Sequence, residues 1–293
     1  MSPVVECVLD ARCLLGEGPV WDDRRRRLWF VDIKAPAIHC FDPGDGALDT
    51  WPMPERVGAV ALREKSDTLL VSLKSGFAVF DPATGAIERL LDPEPHMPTN
   101  RLNDGKCDAR GRFWAGTMDD EEQRPTGHLY RLDPDLTLTR FDAGFVVTNG
   151  PEWSLDGRTM YFADSGKGAI HAYGFDMETG RAQNPRLFRQ LAEGEGHPDG
   201  FTLDAGGGLW NAAWGAGRLT RYLEDGTAER TLDVPAPQVT SACFGGDALD
   251  VLYVTSARVG LGEAELAAAP LSGALFAVRG LGLTGLPVRR FAG

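Results

Sequence analysis

The sequence predicts an all-β chain folded as a six-bladed β-propeller, a single domain spanning residues 1–293. Three observations predict it. A doublet of large apolar residues returns six times at the spacing of propeller blades, a second short apolar run follows most doublets, and turn residues punctuate the runs. The doublets are Leu28-Trp29, Leu69-Leu70, Phe113-Trp114, Met160-Tyr161, Leu209-Trp210 and Leu252-Tyr253, about 41 to 49 residues apart.

Each doublet opens a strand-like run: residues 28–33, 69–73, 113–117, 160–164, 209–213 and 252–256. The second runs cover residues 37–41, 77–80, 128–132, 169–173, 218–222 and 274–278. Several then meet an aspartate-led turn ending in glycine, as at Asp81 to Gly85 and Asp176 to Gly180, which is hairpin punctuation. A blade cannot bury both of its faces alone, so the repeats are expected to pack on one another as one domain. The early run from Val4 to Leu9 is expected to join the last blade. Helical periodicity is weak except from Gly262 to Ala269, which predicts one short helix before Pro270.

Composition bounds the function. The 293 residues carry a net charge of -12, which argues against nucleic acid, whose binding needs clustered Lys and Arg. The one basic run, Arg24 to Arg27, lies between polar and apolar segments and is expected to be a solvated hairpin turn. No apolar stretch is long enough for a membrane helix, and the first residues lack a basic start followed by an apolar run, so neither a membrane span nor a signal peptide is expected. Five scattered cysteines, Cys7, Cys13, Cys40, Cys107 and Cys243, form no C-x-x-C pair and are expected as thiols in a reducing cytoplasm.

One repeat position is polar. Stepping back about 11 or 12 residues from the second member of each doublet reaches Glu17, Gly58 or Ala59, Asn103, Asn149, Asp199 and Ala242. Four of the six carry oxygen-bearing side chains. Equivalent positions in radial blades converge, and grouped carboxylates and amides repel or stay unsatisfied unless a cation lies among them. All-oxygen chemistry suits a hard divalent ion such as Ca²⁺, Mg²⁺ or Mn²⁺, and the absence of Cys and His there argues against a structural zinc cage.

At these residues the chain resembles the SMP-30/gluconolactonase family, the regucalcin-like aldonolactonases. The matching segments are Leu15 to Trp21, Arg101 to Asp108, Ala115 to Met118, Thr148 to Pro151, Trp153 to Asp156, Pro198 to Gly200, Cys243 to Gly246, and the C-terminal stretches Gly280 to Gly285 and Phe291 to Gly293. The resemblance implies a metal held by Glu17, Asn149 and Asp199. It implies substrate contacts from Arg101 and Asn103, and from Glu121 in the acidic loop at 119–123. Asp199 would be both ligand and general base. The metal implied is one divalent ion, Ca²⁺ first, with Zn²⁺, Mn²⁺, Mg²⁺ and Fe²⁺ as alternatives.

The reaction this predicts is hydrolysis of a small-molecule sugar lactone to its aldonic acid by a cytoplasmic monomer or weak homodimer. Lactone hydrolysis passes through an oxyanion that a metal can hold, while a carboxylate takes a proton from the attacking water. Two other readings remain: a phosphotriesterase-like hydrolase on the same metal, and a non-enzymatic calcium-binding regulatory protein. Other motifs carry less. Gly280 to Gly285 fits G-x-G-x-x-G, but too few residues follow it for a nucleotide-binding unit. Ser165 to Gly168 reads as a hairpin tip. No G-x-S-x-G or H-E-x-x-H occurs. His39, His128 and His171 fall inside strand-like runs, and His197 adjoins Asp199.

Overall fold

The computed structural model describes residues 3–293 and is built almost wholly of antiparallel β-sheet. The chain divides into two compact units: Met1–Pro52 with Leu191–Val288, and Met53–Gln190 with Arg289–Gly293.

The first unit contains a four-stranded sheet whose strands Gly16–Asp22, Arg27–Asp32, Ala37–Phe41 and Leu48–Pro52 pair in chain order. It also contains an eight-stranded sheet made of two meanders. One runs through His197–Leu203, Leu209–Trp214, Arg218–Tyr222 and Ala228–Asp233. The other runs through Gln238–Gly245, Val251–Ala257 and Leu275–Arg279. Val4–Leu9 pairs with Leu275–Arg279, so the early strand completes the last meander as its sequence position predicts. The meanders are joined by the single pairing Trp214 to Gln238.

The second unit holds three four-stranded sheets, each paired in chain order. The first is Val57–Leu62, Leu69–Leu73, Gly76–Phe80 and Ile87–Leu91. The next is Asn100–Cys107, Phe113–Asp119, Gly127–Leu132 and Leu138–Phe145. The last is Thr148–Trp153, Thr159–Asp164, Ala169–Asp176 and Arg181–Gln190. The C-terminal segment straps onto this unit: Phe291 bridges Arg63, and Arg289 reaches Glu152 at 3.1 Å while its guanidinium lies over Trp153.

Burial explains the strand patterns. The doublet runs become the second strands and are almost entirely buried, as in Leu69–Leu73 and Phe113–Asp119. Such strands read as continuous apolar runs because both faces are covered. The fourth strands, such as Leu48–Pro52 and Ala228–Asp233, are largely exposed, and their sequences are correspondingly polar. Core clusters form between the sheets of each unit. Trp210, Leu252 and Phe276 anchor one in the first unit, and Trp114, Trp153 and Phe162 anchor one in the second.

Two local devices recur. Asp42, Asp81 and Asp176 each start a turn between third and fourth strands. Their carbonyls accept the amides of Gly46, Gly85 and Gly180 at 2.8, 2.7 and 2.7 Å. Those glycines have φ of +78°, +74° and +63°, where a side chain would be strained. In the second device Asp108 and Asp204 accept the indole N–H of Trp114 and Trp210, six residues on, at 3.0 and 2.8 Å. Each also binds an arginine, Arg112 and Arg221 respectively, at 2.6 Å.

Other expectations meet the structure directly. Residues 23–26 form an exposed turn, Ser165–Lys167 is a short turn between strands, and Glu263–Ala268 is the one α-helix among the described residues. No helix among the described residues is long and apolar enough to cross a membrane, and no disulfide joins the cysteines. Burial pushes the thiol of Cys40 up to about 12, which makes it a poor nucleophile.

Candidate functional site

The polar repeat positions all lie in the first strand of a meander, and every one of those strands carries a β-bulge. Pairing shifts between Glu17 and Val20, Val57 and Ala59, Leu102 and Gly105, Asn149 and Glu152, Pro198 and Phe201, and Val239 and Ser241. A bulge turns a residue out of the regular ladder and re-aims its side chain. The residue at the start of the irregularity is in turn Glu17, Gly58, Asn103, Asn149, Asp199 and Thr240, with Glu17 and Asn149 still paired at its edge.

This register corrects one position. The count from the doublets reached Ala242, but the bulge places Thr240 there. The cause is the preceding hairpin. Cys243 pairs with Tyr253 ten residues on, whereas Lys106 pairs with Trp114 and Thr202 with Trp210 only eight residues on. Five of the six positions thus carry oxygen-bearing side chains, and Gly58 is the exception.

In the second unit the first strands neighbour one another in chain order, and their bulges interlock. The Asn103 side-chain amide donates to the Thr148 carbonyl at 2.6 Å and to Asn149 Oδ1 at 3.2 Å. Asn149 donates its own amide to Ser165 Oγ at 2.9 Å, which leaves its oxygen turned toward Asn103. Asn103 Oδ1 accepts from Arg101 Nη1. Asp104, on the other side of the bulge, accepts the amides of Gly105 and Gly150 at 2.7 and 2.9 Å and so ties two neighbouring strands together. Burial pushes its carboxyl above the usual range, against the pull of Lys106 and those amides.

Arg101 is 2% exposed, and its Nε lies 3.1 Å from Asp120 Oδ1. Lys74 Nζ reaches Asp120 Oδ2 at 2.9 Å, and Arg56 binds the Oδ1 atom as well. Glu121, the acid named from the sequence, is exposed on the turn after the strand Phe113–Asp119. Asp119 beside it is held by Arg124, whose hydrogen bond keeps the Asp119 carboxyl below its ordinary value. A cavity of about 240 Å³ opens beside Arg101, lined also by Lys74, Glu94, Asn100 and Thr117. Glu94 is buried there, accepting from Asn100 at 2.8 Å, Thr117 at 2.9 Å, Tyr130 at 3.0 Å and His128 at 2.5 Å.

In the first unit Glu17 and Asp199 are 5% and 7% exposed. Glu17 Oε2 accepts the Gly18 amide at 2.9 Å. The Asp199 carbonyl accepts from Asn211 at 2.9 Å, which fixes the bulge. Thr240 donates to the Gly16 carbonyl at 2.5 Å, and His197 begins the Asp199 strand as an exposed residue. No three His, Cys, Asp or Glu side chains gather as a ligand group among the described residues. The set named from the sequence comprises two carboxylates and one amide oxygen. Buried, all-oxygen donors of this kind fit a hard divalent cation.

The sequence did not single out Asp120, Lys74, Arg56, Glu94 or Thr240. Only Asp120 left a trace, as one of four consecutive acids whose inward member no pattern identifies.

Repeated four-stranded antiparallel meanders, each with a bulged first strand, define an all-β protein of the propeller-like class. Residues 15–258 match the family model described as SMP-30/Gluconolactonase/LRE-like region, and the chain belongs to that family. Among its relatives is the L-arabinolactonase of Azospirillum brasilense, 41% identical, with 97% of this chain and 94% of the relative covered. The 6-deoxy-6-sulfogluconolactonase of Pseudomonas putida is 36% identical, covering 95% and 96%. The crystal structure of a calcium-binding protein, regucalcin, from Agrobacterium tumefaciens matches with a TM-score of 0.93 at 29% identity over 98% and 97% of the two chains.

Proposed function

We propose that this chain, read as one six-bladed propeller domain, is a metal-dependent aldonolactonase that hydrolyses a sugar lactone to its aldonic acid. The observation that carries the reading is the near-full-length likeness to the A. brasilense L-arabinolactonase, joined to the hydrogen-bonded pair of Arg101 and the bulge residue Asn103. A lactone-hydrolysing enzyme of this kind is a carboxylic ester hydrolase.

Glu17, Asn149 and Asp199 would hold one divalent ion, with Ca²⁺ the first choice. When bound, that ion supplies a Lewis acid for the lactone carbonyl. The protein's own residues do the rest. Asp199 takes the proton from the attacking water, a task suited to a positioned carboxylate. Arg101 offers directed donors to the sugar hydroxyls, and Asn103 offers both a donor and an acceptor. Glu121 accepts hydroxyl hydrogen bonds from its exposed turn. Arg101 and Asn103 are buried, so their hydrogen bonds act in a low-dielectric setting, whereas those of Glu121 face solvent.

The test is proton release from a panel of pentono- and hexonolactones, before and after EDTA and with Ca²⁺, Zn²⁺, Mn²⁺, Mg²⁺ or Fe²⁺ restored. Acceleration lost with chelator and regained with one ion is expected, together with loss of turnover in Asp199→Ala. No acceleration on any lactone by metal-loaded protein moves the weight to a phosphotriesterase or a calcium-binding role. Near wild-type activity in Asp199→Ala removes Asp199 as the base.

A further inference from the structure

We infer that Asp120 is a positioning and specificity-determining residue that tunes the Arg101 subsite to uncharged polyhydroxylated lactones and against anionic ones. This rests on the lactonase reading above and deepens it. Asp120 is 9% exposed and receives three cations: Arg56, Lys74 at 2.9 Å and the buried Arg101 at 3.1 Å. Its backbone amide donates to the Thr99 carbonyl at 2.9 Å, which fixes the turn that presents the carboxylate.

The wider surroundings are charge-balanced. Glu55, which lines the cavity, is taken by Arg89 at 2.5 Å, and Asp92 is turned onto the Glu94 amide at 2.8 Å. Arg56, Lys74, Arg89 and Arg101 thus lie among the acids Glu55, Asp92, Glu94 and Asp120, equal in formal charge. Such a wall offers both donors and acceptors. It suits hydroxyl groups, which both give and accept hydrogen bonds, and it gives no reward to a carboxylate, sulfonate or phosphate on the sugar. Asp120 sets its carboxylate against Arg101 as well as against Arg56 and Lys74. Without it, these three cations lose the carboxylate they share, and the subsite turns toward anions.

The matched probes are the γ-lactones of gluconic and glucaric acids, which differ at the far end of the sugar as hydroxymethyl or carboxylate. The wild-type enzyme is expected to favour the gluconic lactone in kcat/KM. Asp120→Asn is expected to shift the ratio toward the glucaric lactone by about ten-fold, the scale of one unpaired charge near a site boundary. Asp120→Glu should restore the wild-type preference, and Lys74→Gln, at a half-exposed position, should move the ratio the other way. A purely structural role would lower both substrates alike, so parallel losses in Asp120→Asn, or a wild-type preference for the glucaric lactone, overturn the inference. If Asp120→Asn fails to fold, the Lys74→Gln ratio decides, and an unchanged ratio there overturns it equally. Wild-type protein that hydrolyses neither lactone with any metal fails the lactonase reading itself, and the inference falls with it.

Discussion

Replacing Asn103 by alanine is the most informative single change, because one side chain joins the proposed substrate arginine to the proposed metal ligand. Asn103 is 6% exposed and makes three contacts: its amide donates to the Thr148 carbonyl at 2.6 Å and to Asn149 Oδ1 at 3.2 Å, and its oxygen accepts from Arg101. Alanine leaves the Thr148 carbonyl without this donor, which costs about 1–3 kcal/mol for a buried acceptor. Arg101 Nη1 would lose this acceptor and keep the longer contact to the Leu102 carbonyl at 3.3 Å. A loss of roughly 2 kcal/mol corresponds to a fall in melting temperature of about 4–8 °C in a domain of this size. Function should fall further than stability. The Asn149 amide loses its orienting partner, and such partners of metal ligands are worth about ten- to hundred-fold in metal affinity. Calorimetric titration with Ca²⁺, kcat/KM on the best lactone and a melting curve measure the three effects separately. Asn103→Asp keeps the shape but turns the two donor contacts into oxygen–oxygen contacts, and it should be at least as damaging. Metal affinity and kcat/KM both within about three-fold of wild type would refute this account of Asn103, whatever the melting temperature did.

Two further outcomes follow from the same geometry. Glu121→Gln, on an exposed turn, should raise KM by about three-fold, the scale of one lost hydrogen bond, with kcat and melting temperature unchanged; a kcat loss without a KM change would exclude a binding role. Asp204→Asn should cost about 3 kcal/mol at neutral pH in urea unfolding, as for a broken buried ion pair. Burial raises the Asp204 carboxyl, but hydrogen bonds from Arg221, the Gly208 amide and the Trp210 indole overcome it and hold the group below its ordinary value. A depressed carboxylate contributes stability above its unfolded pKa, near about 3.9, and loses it as pH falls through the lower folded value. The difference between wild type and Asp204→Asn should therefore be flat at neutral pH and shrink only in acid. A difference that grew toward low pH would contradict the assignment.

Much of the fold was legible because blade-like repeats write their period into the chain. The doublets mark the second strands, since those are buried on both faces and admit little but large apolar residues. The aspartate-led turns mark the hairpins, since glycine takes their left-handed end without strain, although Leu136 takes it after Asp133. The early strand was legible as a leftover apolar run with nowhere else to pair. The bulges were not legible. A bulge shifts pairing by one residue, and the hairpin beyond it varies in length, so a fixed count from the doublet finds Asn103 and Asp199 but falls short of Thr240. The inward acid was not legible either. Asp119, Asp120, Glu121 and Glu122 are alike in composition, and their fates differ because Asp119 meets Arg124, Asp120 meets Arg101, and Glu121 meets solvent.

The exceptional position of the second unit shows why the polar residues belong to the bulges rather than to the strands at large. Gly58 enters its bulge where Asn103 and Asn149 enter theirs, yet it carries no side chain. A Cβ at Gly58 would fall 2.4 Å from the Asn103 carbonyl oxygen and 2.8 Å from that of Leu102. These two first strands therefore approach closely at this bulge, and a substituent at Gly58 would displace Asn103. Asn103 in turn fills the next gap with an amide that satisfies Thr148 and Asn149, where an apolar side chain would leave a buried carbonyl unpaired. The sequence of glycine, asparagine and asparagine along three adjacent bulges is thus a packing solution before it is a chemical one. Close approach at Gly58 seats Asn103, Asn103 orients both Arg101 and Asn149, and the groups proposed to meet substrate and metal are positioned by the same contacts that hold the sheets of that unit together.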